Sequence, residues 1–544
     1  MTRSRDESKG FLSEQRWVGP LSAILIAVGT LSRLAPLTEP HGRLLRQFMS
    51  EDGYLMQIVA RNLGAGLGMS VSDGTVQTNG VQPLATFVFS FFYFLSGGDK
   101  IGGIAIVTLF SVFVSLAAAY LLYILVRKVL KDFPDERALA LLVTALWFAS
   151  PLIVKHSMNG LETGLYFLIT LATLNVFINL VEKNPTEFSL KQMLSLGAML
   201  GLCFLVRNDA AFFIAAILLA RFVLLWPSSV KLWRDRIVEA TVPGLVSVLI
   251  GLPWLIYNYR LFGSIMPISG IAESADARFG QNLIYVPAPI LEYVMMILPI
   301  PGTFETKPLT IILSVLIVAV AAVWAVNFLW TESRIGTRVV VVTYVIFGCL
   351  VISFYGLFFG APYFMSRYLS ILSPFLALLG VIAAYRCLVL MPKRLRQATL
   401  MPAAASVAIV AVGLNGMLYR NGLHHEHFQV VDWVKAHVPA QTWVGAIQTG
   451  TLGFFHDRTI NLDGKVSPEA LRAKLNEGGA IPYILRSEIK YLVDWHGIAE
   501  WIRIEKGGFN QKFELVLADQ HTNLAVLRRI DGDTAAPSSG GQSR

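Results

Sequence analysis

"QMLSLGAMLGLCFLVRNDAAFFIAAILLARFVLLW", residues 192–226, is the stretch that decides the fold. A hydrocarbon core of ~30 Å needs roughly 20 apolar residues per helix. This run is too long for one crossing, and Arg207-Asn208-Asp209 interrupts it midway. It reads as two short apolar helices meeting at a polar apex. Nine further apolar runs lie outside it, near 18–37, 102–126, 138–155, 162–181, 239–257, 309–330, 338–359, 367–390 and 399–418. Together they predict a mainly α polytopic membrane protein with about eleven transmembrane helices.

The composition agrees. Of 544 residues, 54% are hydrophobic and only 15% charged, and mean hydropathy is +0.58. A soluble globular domain is nearer one quarter charged, so disorder, a coiled coil and an ordinary cytosolic enzyme are excluded. The net charge of +9 fits basic cytoplasmic loops, and no basic cluster is interleaved with aromatics as nucleic-acid binding would require. Cys203, Cys349 and Cys387 all lie in apolar runs. They form neither a disulfide framework nor a cysteine zinc site.

Basic residues set the orientation. Arg3, Arg5, Lys9 and Arg16 precede the first run, which is too long for a signal-peptide core and reads as an uncleaved anchor. With residues 1–17 cytoplasmic, the clusters at Arg127/Lys128/Lys131/Arg137, Lys183/Lys191, Lys231/Arg234/Arg236, Arg334/Arg338 and Arg386/Lys393/Arg394/Arg396 all fall inside. This requires the apolar stretch 81–97 to lie at the interface rather than cross. The transmembrane module then runs over 18–418 with external loops 38–100 and 258–308. Residues 419–530 read as a small external α/β domain. There "FQVVDWVKAHV" has helical spacing, and "TWVGAI", "YLVDW", "FELVLA" and "LAVLRRI" resemble short strands. The Gly/Ser-rich tail 531–544 reads as disordered.

Several charged residues carry candidate chemistry. In "MSEDGYLMQIVARNLGAGLG" (49–68), Ser50 is a good N-cap and Gly64, Gly66 and Gly68 can stop a helix. Glu51 and Asp52 then occupy its first turn. There they serve either the helix dipole or, at the membrane surface, general-base catalysis on a hydroxyl. "VKHSMNGLETGLYFL" (154–168) places His156 and Glu162 near the bilayer boundary. An acid at that depth is a functional suspect, and a dipole-stabilised first turn is the plain alternative. Arg207 and Asp209 form either a packing salt bridge or a phosphate-binding apex. Arg260 and Arg367 sit at external helix ends, where snorkelling is equally natural. "HHEH" at 424–427 lacks a four-ligand pattern and does not read as a metal site.

These pieces, in this order, resemble the GT-C superfamily of polyprenyl-phosphate-sugar glycosyltransferases. The acidic pair followed by "ARNLGAGLGM" and "TNGVQPLATFVFSFFYFLSGGDK" is similar to that family's first external loop. "NGLETGLY" resembles its "GMET-LF" segment, "LVRNDAAFF" its "LTRPDG", "NYRLFGSIMPIS" its "YFG-LLPNT", and "SRYLSILSPFLALL" its "RYLLP-LPLLALL" helix. "GTLGFFHDRTINLDGKVSP" resembles a motif of the C-terminal soluble domain. The nearest subgroup is the cell-wall arabinofuranosyltransferases. Departures are Glu51 in place of Asp, Gln82 interrupting the "NP-L" pattern and "RND" without its proline.

The resemblance implies an external site in which Asp52, with Glu51 beside it, is catalytic. Arg207 and Arg367 would bind the donor phosphate, and His156, Glu162, Asp209 and Arg260 would line the substrate. The implied donor is a polyprenyl-phosphate sugar and the acceptor a cell-envelope glycan, lipid or protein. Some members of the family use a divalent cation here, Mg or Mn, and the residues of this sequence leave its use open. A transporter of a lipid-linked or polar solute is the second reading. It would show inverted repeats with matched broken helices, and the sequence has a single broken helix.

Overall fold

The computed structural model describes residues 11–12, 15–133, 135–184, 187–224, 229–275, 277–331, 334–423, 425, 427–497 and 509–530. The tail 531–544 and two residues of "HHEH", His424 and Glu426, lie outside these. The chain divides into two compact units. The first comprises Met1–Met49, Gln82–Ile265 and Asp276–His424, the second Ser50–Val81, Met266–Ala275 and His425–Arg544.

Among the described residues of the first unit, eight helices are long and apolar enough to cross a membrane. They are Val18–Thr38, Lys100–Val129, Thr163–Lys183, Val230–Phe262, Pro308–Asn327, Ile335–Phe358, Pro362–Leu390 and Lys393–Asn421. The chain is therefore a multi-pass membrane protein. The run read as 138–155 is two helices, Glu136–Ala149 and Pro151–Ser157, bent by 63°. Proline there cannot donate to the preceding turn. Side chains serve the carbonyls at the break: Arg33 donates to Phe148 O at 2.8 Å and Asn415 to Ala149 O at 3.0 Å.

The 192–226 run folds as read, into Leu190–Val206 and Ala210–Leu224 with Arg207–Asp209 between them. Both are shorter than the eight long helices, so among the described residues eight helices, or nine with the bent pair counted as one, are long and apolar enough to cross, which does not confirm the expected eleven. The stretch expected at the interface forms the helix Pro83–Leu95, about 20 Å long at ~1.5 Å per residue and shorter than a hydrocarbon core. Leu190–Val206 packs against Val230–Phe262 through glycines. A Cβ added at Gly201 would come within 2.7 Å of Ile250 Cβ, and one at Gly197 within 2.6 Å of Val246 Cβ. Small residues let apolar helices approach this closely.

The second unit is discontinuous in sequence. The C-terminal segment builds a five-stranded sheet in the order Thr459–Asn461, Val444–Ala446, Tyr491–Asp494, Leu524–Arg529, Phe513–Asp519. Its first three strands are parallel and the last two pair antiparallel. Val430 and Val434 of the Phe428–His437 helix pack with Val444, Val493 and Val526. Ile460, Leu492 and Leu527 pack with Ala470 and Ala473 of Pro468–Asn476. The sheet is thus covered by helix on both faces.

The Glu51–Gly64 helix belongs to this unit rather than to the membrane module, because the C-terminal segment encloses it. Tyr54, Ile58 and Val59 are buried, Tyr54 packs on Phe454 with ring centroids 5.1 Å apart, and Asp73 pairs with Arg458 at 3.1 Å. Ser50 caps the helix, accepting from Gly53 N at 3.0 Å.

Candidate functional site

The apex of the broken run holds a buried charged cluster of the first unit. Arg207 leaves helical geometry at the end of Leu190–Val206 and turns its guanidinium on three partners. Nε donates to both Asp209 oxygens at 3.0 and 2.9 Å, Nη1 to Glu162 Oε1 at 3.3 Å and Nη2 to Tyr355 OH at 3.4 Å. Tyr355 OH in turn donates to Asp209 Oδ2 at 2.6 Å. The side chains of Arg207, Glu162 and Asp209 are 9%, 6% and 8% exposed. Glu162 makes no capping bond to its helix, so its carboxylate serves Arg207 and not the first turn.

Tyr355 sits in a π-helical turn, Phe354–Phe358, ending the Ile335–Ser353 helix. Such turns occur often at functional sites. Asn282 steadies this one, donating to the carbonyls of Tyr355, Phe359 and Gly360 at 3.1, 3.1 and 2.7 Å. Tyr355 stacks on Tyr368 at 4.1 Å, beside Arg367, whose guanidinium lies 4.2 Å over the Phe364 ring. His156 Nε2 is 3.1 Å from Ser366 Oγ, which is also 3.1 Å from Tyr293 OH. His156 lies in the electrostatic field of Lys155, Arg367 and Arg207, while Glu162 and Asp209 contact Arg207 directly.

Gln82, which broke the expected pattern, accepts from Asn208 N at 3.3 Å and so ties the start of Pro83–Leu95 to the apex. Arg260 is exposed in the last turn of Val230–Phe262, a snorkelling position, and is not gathered into the cluster. Tyr355, Tyr368, Tyr293, Ser366 and Asn282 were not read from the sequence. The signal available was the aromatic–glycine break "SFYGLFFG" inside an otherwise uniform span.

The first-loop acids form a separate cluster within the second unit. Glu51 anchors structure: both its oxygens accept from Thr451 N at 3.2 Å, and the Thr451 hydroxyl also donates to it. The catalytic role read for Glu51 competes with this anchoring, which leaves Asp52 as the candidate base. Asp52 shares the field of Lys465 with Asp463 and Glu273. Lys465 Nζ lies 2.8 Å from Glu273 Oε1 and 3.8 Å from Asp463 Oδ2. Burial alone would lower the Lys465 ammonium, but Asp52, Asp463 and Glu273 outweigh it and hold it well above its ordinary value. Burial also pushes Asp463 up, with Lys465 opposing.

The acids here do not fit a divalent cation, because the lysine ammonium is already set among them. Among the described residues, no group of three or more His, Cys, Asp or Glu side chains is arranged to hold a metal ion.

Comparisons with known proteins bear on the fold. Residues 81–257 match the family described as dolichyl-phosphate-mannose-protein mannosyltransferase, and residues 398–533 match a domain of unknown function. No curated protein sequence matches the chain. The fold is that of ArnT from Cupriavidus metallidurans, solved bound to undecaprenyl phosphate, at a TM-score of 0.57 and 11% identity, covering 97% of this chain and 99% of that one. It is also that of the oligosaccharyltransferase AglB from Archaeoglobus fulgidus, solved with an inhibitory peptide and a dolichol-phosphate, at 0.55 and 13%, covering 90% and 70%. A complex of the Archaeoglobus fulgidus oligosaccharyltransferase with Zn and sulfate gives 0.53 and 14%, covering 90% and 71%.

Proposed function

We propose that this chain is an integral-membrane glycosyltransferase of the GT-C type that moves a sugar from a polyprenyl-phosphate donor to a hydroxyl of a cell-envelope glycan, lipid or protein on the external face. The observation that carries the reading is the buried, arginine-centred cluster of the membrane unit, in a fold shared with proteins solved holding polyprenyl phosphates. A lipid phosphate is a good leaving group. It needs positive charge on its oxygens and a base on the incoming hydroxyl, with no separate general acid.

Arg367 and the remaining N–H groups of Arg207, on the side of the cluster shared with His156, take the phosphate. Glu162 and Asp209 aim Arg207 and line the sugar. The acceptor oxygen bonds to the anomeric carbon as the bond from that carbon to the phosphate oxygen breaks. The electron pair leaves with polyprenyl phosphate, and Asp52 takes the hydroxyl proton. Attack opposite the phosphate inverts the anomeric configuration. The transferred sugar is a pentose or a hexose, the resemblance to the arabinofuranosyltransferases being what brings in the pentose. Purified protein is offered a panel of polyprenyl-phosphate pentoses and hexoses, and released polyprenyl phosphate is measured. Release from one member, dependent on acceptor, is expected; release from none contradicts the reading.

A further inference from the structure

We infer that Lys465 is the built-in cation of the Asp52 site: its ammonium, set among Asp52, Asp463 and Glu273, holds Asp52 ionised and aimed, so that catalysis by this chain needs no divalent metal. The inference rests on the reading of Asp52 as the base. An ammonium has three donors and no acceptor, and three carboxylates surround it. Two of the partners are fixed by distance, Glu273 at 2.8 Å and Asp463 at 3.8 Å.

The lysine backbone is held as firmly as its tip. Asp463 Oδ1 accepts from Lys465 N at 2.8 Å. On the other side the Lys465 carbonyl lies so close to Gly80 that a Cβ there would collide with it. Asn79, beside that glycine, accepts from Ile268 N at 3.0 Å and so binds the short segment that carries Glu273. The "TNG" of the first loop, the "SGIAES" after Ile268 and the "LDGK" of the C-terminal segment thus converge on one ammonium.

The physical consequence follows from charge. A carboxylate beside a fixed positive charge stays in its ionised, proton-accepting form. Magnesium demands near-octahedral oxygen ligands and keeps several waters; here the ammonium stands among the acids that would have to supply those ligands. Lys465 is accordingly a positioning residue, acting through Asp52.

The test has an arm that needs no variant. Wild-type protein is stripped with EDTA, assayed for turnover of its polyprenyl-phosphate sugar, and titrated with Mn²⁺ by electron paramagnetic resonance. Unchanged turnover and no stoichiometric Mn²⁺ binding are expected; loss of turnover restored by Mn²⁺, or one Mn²⁺ bound per chain, overturns the inference. In the second arm, Lys465→Ala should lower kcat by about 10²-fold, the lower end of a general-base contribution, with donor KM unchanged. Lys465→Arg, which keeps the charge, should recover most of it. Wild-type kcat in Lys465→Ala, or no recovery in a folded Lys465→Arg, overturns the inference. Asp52→Asn separates the two readings: if it is inactive while Lys465→Ala is fully active, only the role of Lys465 fails.

Discussion

Arg207 is shared between two carboxylates, Glu162 at 3.3 Å and Asp209 at 2.9 Å. Its role then depends on fork geometry as well as charge. Lysine is a point charge and cannot serve two Asp209 oxygens, Glu162 and Tyr355 together. Arg207→Lys should keep the fold and lose about tenfold in donor affinity, roughly 1.4 kcal/mol, as read by calorimetric titration with the polyprenyl-phosphate sugar. Wild-type affinity would reduce Arg207 to a packing role. Arg207, Asp209 and Glu162 were legible as suspects because charge at membrane depth is costly. Their pairing was not, since Glu162 and Arg207 lie 45 positions apart. The same limit hid Lys465, and hid the partner of Glu51, which is 400 positions away at Thr451.

At the scale of elements, apolar run length located every long helix, but Val230–Phe262 and Lys393–Asn421 begin nine and six residues before the runs at 239–257 and 399–418, because basic residues that end an apolar run need not end a helix; the Arg207–Asp209 break was read where it falls. The side chains that satisfy such breaks were not legible. At the 63° bend, Arg33 and Asn415 from other helices donate to the carbonyls of Phe148 and Ala149, and in the π-helical turn Asn282 donates to the carbonyl of Tyr355. The strand Thr459–Asn461 is three residues long, too short to show alternation. The close contact at Gly201 gives an element-scale prediction. Gly201→Leu would overpack the seam against Ile250, costing about 1–3 kcal/mol. A lowered Tm in detergent is expected, and an unchanged Tm would mean that the helices are not held this closely.

At the scale of the whole molecule, the basic loops predict a cytoplasmic N-terminus and an external C-terminal domain. Reporter fusions after residue 395 and after residue 440 should therefore report opposite faces; both on one face contradicts the topology. The second unit was legible only in part. The helix Phe428–His437 and all five strands of its larger sheet lie in the composition shift after residue 419, and four of those strands were read there, but Ser50–Val81 and Met266–Ala275 join it through contacts that no local pattern announces. The account as a whole stands on sugar transfer with Asp52 as the base. Its most direct measurement is turnover and thermal unfolding of Asp52→Asn on one preparation of the full chain. Ser50, not Asp52, caps the helix, so the neutral side chain should cost the helix start about 0.3–1 kcal/mol of dipole stabilisation, besides its share in holding Lys465, which keeps Glu273 and Asp463. It cannot accept the proton, so turnover should fall roughly 10²–10⁴-fold on a chain that still unfolds in one cooperative transition. Turnover equal to wild type would contradict the account.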